Sequence, residues 1–264
     1  MKSGWRPERR NRKIGTASAG FKKRNRLTIP RQGEVEYFED VKPNRVEEWR
    51  LSGLPLFCIY ENPRPGCTYG CSPEDVHHLL SHLPQDDLSA LEMIVFRQPT
   101  RKQSTLNPVW GRLIYVAQIA GHTGSAIILE AVDLETKHTW PRRRDAEDAR
   151  ELERLRGDGH SVEAGKREFA VTFNEDSVRN TILYRTLLHE IGHWVQYARA
   201  VLSKPDHLLE GAYDFHFARP VSERDLFAHS YAGQMAAKLR NQGVIPFEPI
   251  VERKTAGRND GTKD

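Results

Sequence analysis

The sequence predicts an α+β domain, a small mixed sheet followed by helices. Four strand-like runs come first, two long helices with apolar stripes follow them, and a charged stretch at helical spacing divides the last two strands. The 38% hydrophobic content suits an ordinary globular core within 264 residues.

Residues 1–50 have few apolar positions and no sustained period, which predicts a mostly disordered arm. The folded domain is expected over 51–248 and a second disordered tail over 249–264. Leu54 to Tyr60 is a short apolar run, and Asn62, Pro63, Pro65 and Gly66 punctuate the loop after it. Ser72 can cap a helix whose first residue is Pro73, and Glu74 and Asp75 suit its positive end. That helix runs to about Leu83 and stops at Pro84. The four strand runs are Leu91 to Phe96, Trp110 to Gln118, Ser125 to Leu134 and Glu168 to Phe173. Arg142 to Arg156 reads as an exposed helix or a loop, and the two long helices are expected over 177–202 and 221–241.

Charge is distributed unevenly. Residues 1–32 hold eleven Lys or Arg against Glu8 alone, a charge of +10, so the rest of the chain carries −6 of the net +4. Such an arm can contact nucleic-acid phosphates through counterion release, although a solvated tail explains it more simply. No run of 18 apolar residues is present, so no membrane-spanning helix is expected. The basic N-terminus has no apolar stretch behind it, which predicts no secretory signal. With three cysteines, a cytoplasmic location without disulfides is expected.

The first long helix contains His189-Glu190-Ile191-Gly192-His193. Histidines four apart share one helical face, so both can reach one Zn2+ ion. Glu190 falls about 60° round the helix from His193, where it can serve as general base toward a water polarised by the ion. Leu183, Leu187, Ile191, Trp194 and Ala198 form an apolar stripe on nearly the opposite side from the histidines.

A third ligand has to come from elsewhere, and the second helix offers Glu223, Asp225 and His229. Val221, Ala228, Ala232, Met235 and Leu239 define its inward stripe at about 100° per residue. Asp225 lies within roughly 45° of the centre of that stripe and Glu223 nearly opposite. An acid among apolar residues is costly to bury unless paired, and a metal would pair it. Phase therefore favours Asp225, with Glu223 and His229 as alternatives. Cys67 and Cys71 have zinc-compatible spacing with His77, His78 and His82 nearby, but no second close ligand pair completes a site. Cys58 could join only if the loop folds back, so buried thiols are the simpler reading. No Gly-rich phosphate loop and no Gly-x-Ser-x-Gly element is present.

These residues resemble the zincin metallopeptidases, in particular the gluzincin-like lethal-factor, Mlc titration factor and ImmA/IrrE types. Asp225-Leu226-Phe227-Ala228 resembles the Glu-x-Phe-Ala element of the first two, with Asp for Glu, whereas an ImmA/IrrE alignment points to Glu223. The resemblance covers about 168–241. It implies a zincin-like fold, an active-site helix followed by a helix bearing the third ligand. It also implies a zinc peptidase acting on a protein or peptide, and a strand over Glu168 to Phe173 that holds substrate by strand addition. The alternative is a nucleic-acid-associated protein that uses the basic arm on a non-catalytic zincin scaffold.

Overall fold

A computed structural model describes residues 36–250 except 52, 107–108, 137 and 142–145, with backbone alone at 105–106, 141 and 146–147. The basic arm over 1–32 and the tail over 251–264 lie outside the described residues.

Ten strands and seven α-helices are described. The chain forms β1 (Arg45–Leu51), β2 (Leu54–Tyr60) and β3 (Cys67–Thr68), then α1 (Pro73–Ser81) and β4 (Met93–Arg97). Next come α2 (Arg101–Leu106), β5 (Gly111–Ile119), β6 (His122–Glu130), β7 (Val132–Asp133) and β8 (His138–Pro141). The last part has α3 (Ala146–Gly157), β9 (Ser161–Ala164), β10 (Glu168–Thr172) and α4 (Glu175–Arg179). It closes with α5 (Leu187–Tyr197), α6 (Leu209–Ala218) and α7 (Val221–Asn241). Wide π-helical turns, Asn180–Thr186 and Ala198–Leu202, flank α5, so the helical path over 175–202 is unbroken.

The main sheet is mixed, in the order β1-β2-β4-β6-β5. β2, β4 and β6 run parallel to one another, while β1 and β5 lie antiparallel on the two edges. β4 is apolar at four of five positions and buried at all five, as a central strand covered on both faces must be. Its one charge, Arg97, faces Glu130 in register and bonds to it at 3.2 Å. Arg112 of β5 reaches the same oxygen at 3.0 Å, so two guanidiniums compensate the buried carboxylate. A mixed sheet with helices after it is the α+β class the sequence predicts.

Two expected boundaries move. The folded part begins with β1, not at Leu51, because Trp49 and Leu51 reach the core from a strand whose other residues, four charged ones and Val46, do not. At the other end, Ile250 is part of the fold: its amide donates to Asp75 at 2.9 Å, and Ser72 Oγ donates to the Ile250 carbonyl at 3.1 Å. Arg179 pairs with Asp75 and also donates to the Phe247 carbonyl at 3.3 Å. Ser72 caps α1 as expected, accepting from the Asp75 amide at 3.0 Å, with the reciprocal bond at 2.9 Å.

β10 is not in the main sheet. It is the middle strand of a separate three-stranded sheet, β8-β10-β9. No helix among the described residues is long and apolar enough to cross a membrane.

Candidate metal centre

Helix α5 is two-faced. Leu187, Ile191 and Trp194 are buried in the core, with Leu183 ahead of them, while His189 and His193 are half-buried on the other side. α7 packs against α5 at unusually close range, and Gly192 is the reason. A Cβ there would lie 2.9 Å from Ala228 Cα, 3.0 Å from the Ala228 carbonyl oxygen and 3.2 Å from Tyr231 Cβ. Small residues at both contact points, Gly192 and Ala228, let the two backbones approach. The approach carries Asp225, one turn before Ala228, to the histidine pair.

Candidate ligand atoms of His189, His193 and Asp225 all lie within 4.8 Å of one another. The two Nε2 atoms are 3.1 Å apart, and His193 Nε2 lies 3.4 Å from Asp225 Oδ1. Ligands about 2.0–2.1 Å from one tetrahedral zinc ion would stand roughly 3.3 Å from each other. Two imidazole nitrogens and one carboxylate oxygen at these spacings fit a divalent ion of borderline softness.

The electrostatics agree with ligand use. Burial pushes the His189 imidazolium down to about 3, helped by the neighbouring His193 and His229, and burial also lowers His193. Both rings are therefore neutral near pH 7, the state in which a nitrogen lone pair can bind a metal. His189 Nδ1 is buried without a hydrogen-bond partner among the described residues, while its Nε2 faces another imidazole nitrogen. A cation between the Nε2 atoms would satisfy both lone pairs.

Of the other candidates for third ligand, Glu223 is exposed and paired with Arg219 at 3.6 Å. His229 packs against His189 with the rings tilted by 41° and their centroids 4.3 Å apart, beside the trio and not in it. The stripe expected on α7 holds at Ala228, Ala232 and Leu239 but fails at Val221, which is 61% exposed because the helix starts beyond the edge of the core.

Glu190 is buried next to the trio. Its Oε2 accepts from the backbone amide of Leu113, in β5, at 2.8 Å. Burial raises this carboxyl to about 7; the Leu113 amide and Arg112 pull it down and Asp225 pushes it further up. Such a group can hold and release a proton near neutral pH.

His189, Asp225 and Glu190 border a cleft of about 680 Å³ that Trp110, Trp140 and Phe173 also line. The expected role for Glu168 to Phe173 needs correction. β10 is hydrogen-bonded on both edges, to β8 and to β9, so it has no edge to offer a peptide. The sheet edge beside Glu190 belongs to β5.

Three contributors carry no signal in the sequence: the Leu113 amide, which every residue but proline has, Tyr115 and Arg224. Tyr115 hydrogen-bonds Arg224, the neighbour of Asp225, and so ties the start of α7 to β5; burial pushes the Tyr115 phenol up to about 12. Gly192 was legible only as a glycine within a helix. The three cysteines are free, and among the described residues no ligand group gathers around Cys67, Cys71 and the nearby histidines. Comparison of the chain with protein-family models, with curated proteins and with solved structures finds no match, so the reading of this site rests on its own geometry.

Proposed function

We propose that this chain is a zinc-dependent peptidase in which His189, His193 and Asp225 hold the metal and Glu190 is the general base. The observation that carries the reading is the meeting of the trio with a buried carboxyl whose affinity for protons is tuned near 7. A bound zinc ion supplies Lewis acidity toward water and toward the scissile carbonyl.

The remaining work falls to the chain itself. Glu190 takes a proton from the attacking water as the C–O bond forms, then gives it to the leaving amine as the C–N bond breaks. The antiparallel edge of β5 supports docking of an extended peptide beside Glu190, and the aromatic residues of the cleft offer apolar contact to its side chains. The α+β architecture, with two crossing helices after a mixed sheet, is compatible with a zincin-like arrangement.

Elemental analysis of wild type, His193→Ala, Asp225→Ala and Glu223→Ala tests the site. We expect about one zinc per chain, lost in the first two variants and kept in Glu223→Ala. A folded wild type that takes up no zinc would remove the basis of the proposal. The +10 charge of residues 1–32 favours a second role in nucleic-acid contact. Salt-dependent DNA or RNA binding by the full chain, lost when those residues are deleted, would establish it.

A further inference from the structure

Past the trio lies a second cavity of about 480 Å³. It shares Arg154, Arg185 and His229 with the cleft already described, and so adjoins it beside His189. Charge in its lining is unbalanced. Three guanidiniums reach it, from Arg154 in α3, Arg185 just before α5 and Arg240 near the end of α7, against the single carboxylate of Asp158.

That carboxylate is already committed. Asp158 Oδ2 accepts from Arg185 Nε at 2.6 Å and from Thr181 Oγ1 at 2.7 Å. Glu151 lines only the first cleft, and it takes Arg185 Nη1 at 3.1 Å and Arg154 Nη1 at 3.2 Å. These bonds orient Arg154 and Arg185 from behind. Arg240 is exposed at the rim and has no acidic partner among the described residues. Asp158 and Glu151 account for the places of Arg154 and Arg185, and the negative end of α7 favours a cation at Arg240 but leaves its guanidinium open to a ligand.

We infer that this cavity binds a carboxylate of the substrate, with Arg240, whose charge no acid among the described residues offsets, as its direct partner. A guanidinium matches a carboxylate with two parallel hydrogen bonds, and a partly enclosed site screens the attraction less than open solvent does. The two cavities share Arg154, Arg185 and His229, so the anion site adjoins the cleft that His189 and Glu190 border. The carboxylate comes from an acidic side chain or from the C-terminus of the peptide. The inference rests on the peptidase reading above.

Calorimetric titration of the zinc-loaded full chain with non-cleavable peptide hydroxamates separates the two. Three probes share one backbone: a glutamate amide, a glutamine amide and a glutamine with a free C-terminus. We expect one of the two carboxylate probes to bind about tenfold more tightly than the neutral one, and the identity of that probe names the source. The advantage should vanish in Arg240→Gln and invert in Arg240→Glu, an exposed position whose substitution spares the core. Equal binding of all three probes would overturn the anion site and leave the metal centre standing. So would a preference that survives Arg240→Glu. Failure of every hydroxamate to bind a zinc-loaded chain would end the peptidase reading and this inference together.

Discussion

The Leu113 amide and the Glu190 carboxylate are joined across 2.8 Å, so the edge strand of the sheet holds the one acid of α5, the helix that carries the histidine pair. The bond favours the charged carboxylate, and burial opposes it more strongly. Because the carboxyl is raised to about 7 from an ordinary value near 4.5, it favours the folded metal-free protein at low pH, and that contribution is lost as pH rises through 7. Metal-free Glu190→Gln should therefore gain stability relative to wild type between pH 5 and pH 8, by up to about 3 kcal/mol. Urea melts at the two pH values measure this, and parallel curves would contradict it.

The same substitution should lower peptide hydrolysis by about 10²- to 10⁴-fold while zinc content stays at the wild-type level. Loss of zinc together with activity would move Glu190 from base to structural support.

Replacing Leu113 with proline removes the donor and nothing else from the backbone, and an outward-facing amide on an edge strand is where proline is tolerated. Glu190 should then titrate higher, and the rising limb of the pH–rate profile should move up by roughly one unit. Leu113→Ala, which keeps the amide, is the control for the lost side chain. An unmoved limb in Leu113→Pro would show that the bond does not govern the base.

Gly192→Ala places a methyl group against the backbone of Ala228, which cannot swing aside as a side chain would. The helices must part, at a cost of about 1–3 kcal/mol, and Asp225 must retreat from the histidines. Zinc affinity should fall at least about tenfold, as it does when groups that orient metal ligands are lost. Retained affinity, measured by competition with a chelator, would mean that α7 yields elsewhere.

Zinc uptake should also resist acid. Two ordinary imidazoles, titrating near 6.5, would cost about a hundredfold in affinity from pH 6 to pH 5. With His189 held down to about 3 and His193 lowered by burial, the loss should be less than tenfold. A hundredfold fall would refute the neutral, preset pair.

The parts of this site that obey helical periodicity are legible in the sequence. The two faces of α5 follow from Leu187, Ile191 and Trp194 alternating with the histidines, and the phase of α7 separates Asp225 from Glu223. Contacts between elements distant in sequence are not legible. β1 hides because only Trp49 and Leu51 among its residues are buried. The apolar run in β10 fits a half-buried strand in any sheet, and only its pairing with β8 and β9 shows that it has no free edge. Arg97 and Glu130 read as surface charges until the register sets them side by side.

The triad of Arg97, Glu130 and Arg112 has a mechanical consequence for β5. It clamps the strand at Arg112, one residue before the amide that holds Glu190. Beyond Ile114 the pairing with β6 slips, and Val116 stands 74% exposed. β5 is thus pinned at both ends, by the ion triad beside Glu190 and by the hairpin where Ala117 and Ile119 are buried, with an irregular step between the two. A guest strand laid along it would keep one register from Glu190 as far as Ile114, and the step beyond would set how many of its residues can be read.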